Sequence, residues 1–216
     1  MSELIRVAVG EGDDAAISAA VGVLAAGGVV AYPTETFYAL GVSVFDTSAC
    51  RRLFALKGRP ASKTLPAILA GIVQLELVAS EISPEVRRLA ERFWPGPLTL
   101  VIPARASVAA ASEGGTLAVR VSGLALAREL AEAFGPLTST SANRSGEPAP
   151  TTAGEVFTRF AAGEGEGINL VLDGGSTPGG PPSTIVDVSA GVPRLVREGR
   201  IPFQEVLEFY RRDQTS

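Results

Sequence analysis

The chain has 216 residues, of which 46% are apolar and 19% charged, and its formal net charge is −4. This composition is typical of a single globular domain, and the acidic balance argues against broad nonspecific binding to nucleic acid. Because the sequence holds no histidine and one cysteine, Cys50, it excludes a serine–histidine–aspartate triad, a histidine-ligated metal and an internal disulfide.

One uncharged stretch, residues 15–32, has the length of a membrane span or a signal sequence. Ala and Gly make up about half of it, and the Gly27-Gly28 pair would interrupt a helix. The residues before it are acidic, whereas those of a signal peptide are basic. A chain without disulfides also fits a reducing compartment. We therefore expect a cytoplasmic protein without a membrane segment.

Periodicity and capping residues predict helices and strands that alternate along the chain. Helices are expected over about 13–26, 46–56, 83–94, 124–134 and 152–162, with a terminal helix opened by Pro202. Strands are expected over about 29–32, 65–70, 98–102, 117–121, 137–139, 169–173, 184–188 and 194–196. The clearest helix start is Ser83 followed by Pro84, since a serine cap and a proline in the first turn both favour a helix N-terminus.

This alternation predicts an α/β fold in which helices pack on a twisted, mixed β-sheet. The short spacing of the strands between residues 169 and 196 indicates that part of the sheet is antiparallel. The Gly- and Pro-rich segment 174–182 is too short for a domain linker and is expected to be a loop. We therefore expect one domain that spans residues 1–216.

Polar clusters lie where predicted strands or helices end. They are Thr34–Thr36, the segment 57–63, the segment 139–146 and the pair Ser183-Thr184. Small hydroxyl side chains beside Gly and Pro can expose backbone amides that bind phosphate oxygens. The same residues are common in ordinary turns, so each cluster alone also fits a turn without a ligand.

Segment 57–63 is the most cationic of these clusters. Lys57 and Lys63 are the lysines of the chain, its other seventeen basic residues are arginines, and Arg59 lies between the two lysines. A cluster of positive charges favours an anion site. Two plainer interpretations stay open: a solvated basic loop, or cations that complement the dipole at the end of the preceding helix. The sequence has neither a GxxxxGK(S/T) motif nor a GxGxxG motif after a strand, so a standard nucleotide fold is not indicated.

Eight motifs follow one another along the chain. They are YPTETFYALG at 32–41, KGRPASK at 57–63, FWPGPLTLVIP at 93–103, LAVRV at 117–121, STSANRSGEPAPT at 139–151, LDGG at 172–175, STIVDV at 183–188 and VREG at 196–199. Together they resemble the YrdC family, the threonylcarbamoyl-AMP synthases, over about residues 12–202. The combination of a KxR element at 57–59 with an SxN element at 141–143 is specific to that family.

The resemblance implies a nucleotidyltransferase that converts L-threonine, bicarbonate and ATP into L-threonylcarbamoyladenylate and pyrophosphate. This is the first step toward the threonylcarbamoyladenosine modification of tRNA, so proteins of the later transfer are implied as partners. A chain without histidine is compatible with the reaction, because the carbamate of threonine is already an anionic nucleophile that needs positioning and charge neutralisation. Neither stable binding to nucleic acid nor a membrane contact is expected.

Matching positions imply site residues for both substrates. For ATP they are Lys57, Arg59, Lys63, Thr116, Ser141, Asn143 and Arg197, with Lys57 and Arg59 also catalytic. For L-threonine they are Thr34, Thr36, Arg120, Ser139 and Ser183. The Arg120 guanidinium is a natural partner for the threonine carboxylate. Mg²⁺ is implied to be held mainly by the ATP phosphates, with no metal ligand expected from the protein.

Three positions depart from the motifs that are usual in the family. Ala39 lies in its VYGLG element, Pro182 in its EST element and Glu198 in its RPG element, which leaves the identity of the acceptor amino acid open. Longer relatives carry an extra C-terminal domain, so the resemblance implies the short single-domain form.

Other interpretations stay open from the sequence. Related domains in carbamoyltransferases make or use carbamoyladenylate without threonine, and a noncatalytic RNA-binding module would use the cationic concavity alone. At single positions, Arg120 also fits an exposed strand arginine, and Thr34 with Thr36 also fits a strand-end turn.

Overall fold

The computed structural model describes residues 5–8, 10, 14–58, 64–161 and 167–212. Within these ranges the helices are α1 (Asp14–Ala25), α2 (Thr47–Lys57), α3 (Leu75–Val78), α4 (Pro84–Phe93), α5 (Ala125–Phe134), α6 (Ala153–Ala161) and α7 (Phe203–Arg212), with a 3₁₀ turn over Ile72–Gln74 before α3. The strands are β1 (Ile5–Ala8), β2 (Val30–Pro33), β3 (Tyr38–Gly41), β4 (Ala67–Leu69), β5 (Leu98–Pro103), β6 (Thr116–Val121), β7 (Leu137–Thr138), β8 (Thr140–Ser141), β9 (Leu170–Asp173), β10 (Thr184–Asp187) and β11 (Arg194–Arg197). None of the described helices is long and apolar enough to cross a membrane.

The strands form two mixed sheets. The first has the order β1-β9-β2-β3-β8, and the second has the order β11-β10-β5-β6-β4-β7. Parallel pairs such as β2 with β9 and β10 with β5 lie beside antiparallel pairs such as β2 with β3 and β10 with β11. The predicted α/β class, the mixed pairing and the antiparallel strands near the C-terminus are therefore confirmed, and the strands divide between two sheets.

Helix ends lie where their capping residues predict them. Asp46 Oδ1 accepts hydrogen bonds from two backbone amides in the first turn of α2, at 2.8 and 3.0 Å. Gly58 follows α2 in the left-handed conformation, with φ of 59°, which a glycine adopts without steric cost. Ser83 Oγ accepts an amide hydrogen bond of 3.3 Å at the start of α4. These caps place Lys57 at the last position of α2.

Small side chains allow α1 to pack closely on the first sheet. Ala16, Ala20 and Leu24 recur at helical spacing, are buried, and belong to an apolar cluster that includes Val30 of β2 and Leu130 of α5. A larger buried cluster draws residues from both sheets and from α2, α4 and α6. Since fully burying one Leu or Val side chain contributes about 1.5–3 kcal/mol, these clusters hold the strand ends in fixed positions.

A single residue, Ser139, separates β7 of the second sheet from β8 of the first. Just before it, the Thr138 backbone amide donates to the Val42 carbonyl at 2.9 Å, and the Val42 amide donates to Thr138 Oγ1 at 3.0 Å. The Tyr32 hydroxyl donates to the Thr138 carbonyl at 2.8 Å. The Ser139 amide itself donates to the Pro66 carbonyl at 2.6 Å. These bonds fix the junction between the two sheets.

Candidate active site

A cleft of about 470 Å³ takes its walls from both sheets and includes Ser139 at their junction. The predicted site residues that line it are Thr34, Thr36, Arg120, Ser139, Ser141, Asn143, Ser183 and Arg197. Its other lining residues are Phe37, Tyr38, Ala39, Pro66, Thr99, Thr140, Glu147, Ala149, Pro182 and Ile185. The structure therefore brings the SxN element into one cavity with the five residues predicted around the amino acid.

Thr34 and Thr36 lie in a tight turn that follows β2. Thr34 Oγ1 donates to the Phe37 carbonyl at 2.7 Å and accepts the Thr36 and Phe37 amides, each at 3.3 Å. The two threonine hydroxyl oxygens lie 3.2 Å apart. The sequence left open whether these threonines form a turn or a site. The structure shows the turn and places both residues on the cleft wall, and their role in binding stays a prediction. Because Thr34 Oγ1 donates one hydrogen bond and accepts two, its hydrogen-bonding capacity is filled within the turn.

Arg120 of β6 forms a largely buried ion pair with Glu35. The side chains are 9% and 14% exposed, and Arg120 Nη1 donates to Glu35 Oε1. The other Glu35 oxygen accepts a hydrogen bond from Ser122, whose Oγ in turn accepts the Leu124 amide at 3.2 Å. One guanidinium nitrogen is thus occupied by the protein. The interpretation of Arg120 as an exposed strand arginine is wrong.

Ser183 is held between two groups that also line the cleft. Thr99 Oγ1 donates to Ser183 Oγ at 2.9 Å, and Arg197 Nη2 donates to the Ser183 carbonyl at 2.9 Å. Partial burial of the Arg197 guanidinium, together with the neighbouring charge of Arg120, lowers the pKa of Arg197. Two arginines close enough to influence each other create a field that favours an anionic ligand.

The motif departure at Glu198 has a structural role. Glu198 Oε1 accepts a hydrogen bond of 2.9 Å from the Phe203 amide, so its carboxylate caps the first turn of α7. The departures at Ala39 and Pro182 both lie on the cleft wall. Of the three departures, it is therefore these two that alter the shape of the cavity itself.

The chain between Arg197 and α7 packs tightly against the Pro182–Thr184 segment. Thr184 Oγ1 accepts the Gly199 amide at 2.9 Å and the Ile201 amide at 3.1 Å. A Cβ on Gly199 would overlap the Pro182 carbonyl oxygen and lie 2.7 Å from the Ser183 carbonyl oxygen. Glycine is required here by this close approach of two backbones, which sets the position of Arg197.

Lys57 supports the SxN element from its backbone side. The residue is only 3% exposed, and its ammonium donates to the carbonyl oxygens of Ser141 and Asn143, the latter at 2.7 Å. The Lys57 carbonyl also accepts the Ser145 amide at 3.0 Å. Lys57 is not among the residues that line the cleft. Its described contacts hold the 141–145 loop in place.

The remaining predicted site residues are not among the described residues that line the cleft. Thr116 Oγ1 lies 2.8 Å from Ser112 Oγ, and Thr116 is not a lining residue. Arg59 and Lys63, which were also predicted to bind ATP, lie outside the described residues. Among the residues that are described, no group of three or more Cys, Asp or Glu side chains is arranged to hold a metal ion.

Sequence reasoning missed three residues that shape the cleft. Glu35 was visible inside the polar cluster Thr34–Thr36, but its partner Arg120 lies 85 positions away. Thr99 is a buried polar residue within the otherwise apolar strand β5, and Ser122 is a buried polar residue directly after the mostly apolar strand β6. A polar side chain in such an apolar run is the signal that could have indicated them, because a buried hydroxyl needs a partner.

The sequence also matches a known family. The family model Sua5/YciO/YrdC, described as "Telomere recombination", matches residues 22–199. The chain belongs to this family. The family resemblance predicted from the eight motifs is thereby confirmed.

Two curated members of the Sua5/YciO/YrdC family are similar threonylcarbamoyl-AMP synthases. The one from Pyrococcus abyssi is 42% identical over 193 residues, which cover 88% of this chain and 56% of that relative. The one from Chromohalobacter salexigens is 43% identical over 178 residues, which cover 81% of this chain and 94% of that relative.

A solved family structure, that of P. abyssi Sua5 complexed with L-threonine, has a TM-score of 0.86 with this chain at 39% identity. The match covers 95% of this chain and 60% of that one. The chain therefore spans little more than half the length of its P. abyssi relative, and it shares the family fold over nearly all of its own length.

Proposed function

We propose that the protein is an L-threonylcarbamoyladenylate synthase that forms its product and pyrophosphate from L-threonine, bicarbonate and ATP. One observation carries this proposal. The same cleft is lined by Ser141 and Asn143 of the SxN element and by the residues predicted around the amino acid, which are Arg120 and the hydroxyl-bearing Thr34, Thr36, Ser139 and Ser183. The curated names of the P. abyssi and C. salexigens relatives support it, as does the Sua5 structure with L-threonine.

In the proposed site the threonine carboxylate binds to Arg120. Glu35 holds one nitrogen of the guanidinium, and its other N–H groups supply the bidentate contact in this proposal. The hydroxyl groups of Thr36, Ser139 and Ser183 surround the rest of the amino acid, since all three residues line the cleft. Their small side chains leave room for a substrate with a branched, polar side chain.

The nucleotide occupies the part of the cleft formed by Ser141 and Asn143. Arg197 supplies charge to its phosphates, and Lys57 acts through the loop backbone that it holds. Arg59 and Lys63 complete the cationic set in this proposal. Mg²⁺ enters with ATP as part of the substrate and is held mainly by phosphate oxygens.

The chemistry needs no histidine. Threonine's amine nitrogen bonds to the bicarbonate carbon with loss of water and gives a carbamate, whose anionic oxygen attacks the α-phosphorus of ATP. The bond from that oxygen to phosphorus forms as the bond to the β-phosphate bridge breaks, and pyrophosphate leaves with the electron pair. The protein contributes positioning and neutralisation of the charge that builds up in the transition state.

The proposal includes a cytoplasmic, single-domain enzyme whose product passes to tRNA-modifying partners. Its direct test is product identification by mass spectrometry, with ATP, bicarbonate and each of several amino acids. The proposal is supported if L-threonine gives threonylcarbamoyl-AMP and the other amino acids give no corresponding product. Product formation from carbamoyl phosphate without an amino acid contradicts it in favour of a carbamoyladenylate enzyme. ATP-insensitive RNA binding without any product favours the noncatalytic alternative.

A further inference from the structure

Asn143 carries a buried acceptor that the folded chain leaves unused. The residue is 8% exposed and lines the cleft. Within the part of the chain that the structure describes, Asn143 Oδ1 and Ser139 Oγ are the buried side-chain polar atoms without a hydrogen-bond partner. Both belong to cleft residues. The Tyr32 hydroxyl lies beside the Ser139 side chain and interacts with it, so Ser139 has a polar neighbour within the protein. Because an unpaired buried acceptor is costly, Asn143 Oδ1 in this cavity indicates a ligand that satisfies it.

The two atoms differ in what they reveal about that ligand. A serine hydroxyl can rotate and either donate or accept, so Ser139 does not define the polarity of its partner. An amide has a fixed donor end and a fixed acceptor end. The orientation of the Asn143 amide therefore indicates whether the ligand presents a hydrogen-bond donor or an acceptor.

That orientation is set by the amide's donor end. Asn143 Nδ2 donates to the Arg144 carbonyl at 2.9 Å and to the Glu147 carbonyl at 2.7 Å. Flipping the side chain would place Oδ1 against both carbonyl oxygens, which no hydrogen bond could stabilise. The loop that carries these carbonyls is itself held by Lys57, whose ammonium binds the Asn143 carbonyl and whose carbonyl accepts the Ser145 amide.

We infer that Asn143 Oδ1 accepts a hydrogen bond from a hydroxyl or amine group of the bound substrate and makes no contact with a phosphate oxygen. A phosphate oxygen at this position would set acceptor against acceptor. The inference rests on the proposed function and deepens it, because it assigns the SxN asparagine to recognition of a substrate O–H or N–H. Sites of this kind discriminate strongly against analogues that lack the donor, since the buried acceptor then stays unpaired.

The test pairs substrate analogues with the Asn143→Ala variant in equilibrium binding measurements by titration calorimetry. The probes are ATP, its 2′-deoxy and 3′-deoxy forms, purine riboside triphosphate, L-threonine and L-2-aminobutyrate. Each analogue lacks one donor. We expect one analogue to bind wild type about tenfold more weakly than its parent, and to bind Asn143→Ala as well as its parent does. The analogue that behaves this way identifies the donor as nucleotide or amino acid.

Arg159→Ala is the matched control, because it loosens the turn after Asn143, at residues 144–148, and leaves the Asn143 side chain in place. Arg159 Nη1 donates to the Pro148 carbonyl at 2.6 Å and lies 3.5 Å from Glu147 Oε2, and the residue does not line the cleft. This variant should weaken every probe equally and retain the wild-type discrimination. Loss of discrimination in Arg159→Ala to the same extent as in Asn143→Ala would assign the effect to the turn and overturn the inference.

Two further outcomes also overturn it. One is equal discrimination by wild type and Asn143→Ala for every analogue. The other is an Asn143→Ala defect that appears only with Mg²⁺ present, which would make Oδ1 a partner of the metal or its water. Because binding is measured without turnover, the two proposals can fail separately. A wild-type protein that binds ATP and forms no product contradicts the proposed function, and the comparison of analogue binding between wild type and Asn143→Ala still tests the role of Asn143. Wild type that binds neither ATP nor L-threonine contradicts both.

Discussion

The carboxylate of Glu35 and the guanidinium of Arg120 form a charge-assisted hydrogen bond within the wall of the cleft. Ser122 holds the second carboxylate oxygen, and Arg128 Nη1 donates to the Ser122 carbonyl at 2.8 Å. The orientation of Arg120 is thus determined by residues that do not line the cleft themselves. We therefore predict that Glu35 acts as a positioning residue, whose loss affects binding of the amino acid first.

Glu35→Ala leaves the Arg120 charge uncompensated in a largely buried place. We expect the free energy of unfolding to fall by about 2 kcal/mol, measured by urea denaturation, since hydrogen bonds to charged groups contribute about 1.5–3 kcal/mol. We also expect the KM for L-threonine to rise by more than the KM for ATP. Glu132→Ala, at an exposed position of α5, is the control and should change neither quantity. Equal increases in the two KM values would contradict the positioning role.

Lys57→Ala removes the cation that two buried carbonyl oxygens share. We expect kcat/KM to fall by the equivalent of about 2–4 kcal/mol, because the Ser141–Asn143 loop loses its fixed position. Amide hydrogen exchange should become faster at 141–145, which would separate loop positioning from a contact with phosphate alone. Arg51→Ala changes an exposed cation on the same helix and should leave both measurements unchanged. Unaltered exchange in Lys57→Ala would argue for direct phosphate binding.

The same glycine-to-alanine change should have opposite effects at two positions. Gly199→Ala drives a Cβ into the Pro182 and Ser183 carbonyls, so we expect lower stability and a higher KM for ATP through displacement of Arg197. Gly22→Ala lies on the exposed side of α1 with nothing within 4 Å of its Cβ. It should raise the free energy of unfolding by about 0.5–1 kcal/mol. Thermal unfolding of both variants checks the pair, and a stable, active Gly199→Ala protein would disprove the steric argument.

Asp187 should make stability sensitive to acid. Burial alone would raise its pKa, but hydrogen bonds from Ser189 and the ion pair with Arg194 outweigh burial and lower the pKa below its usual value of 3.8. A lowered pKa in the folded state contributes stability above the unfolded-state pKa, and this contribution is lost as the pH falls through the folded-state pKa. Asp187→Asn should therefore be less stable than wild type at pH 7, by about 1 kcal/mol, with the gap closing as the pH falls below 3.8 and through the folded-state pKa. Urea midpoints measured from pH 7 down into acid check it, and a gap that widens in acid would contradict the assignment.

The helices were largely predictable because their ends are encoded locally. Ser83 with Pro84 begins α4, and Asp46 begins α2, by contacts within four residues of the cap. The strands β1, β3 and β8 were not predicted. Tyr38–Gly41 is buried on both faces and contains a glycine, so it shows neither the alternation nor the composition that indicates a strand.

The candidate site was predictable as a set of positions and not as a set of contacts. The motifs indicated Arg120 and Ser183 on the cleft wall, but the partners Glu35 and Thr99 depend on how distant strands pair. For Lys57 the sequence indicated a phosphate contact, whereas the ammonium binds loop carbonyls. Which backbone groups need a donor is decided by the fold, so local sequence carries no signal for it. The roles in ATP and threonine binding, and the single-domain organisation, stay predictions.

The one-residue link at Ser139 bears on how tightly the cleft can bind. Two sheets joined so closely, with Thr138 and Val42 exchanging hydrogen bonds beside the link, cannot separate to admit a ligand without breaking them. The cost in conformational entropy of ordering this wall is therefore met when the chain folds and not when a substrate arrives. Any adjustment on binding must come from the side chains and loops at the mouth, which leaves most of the interaction energy available for affinity.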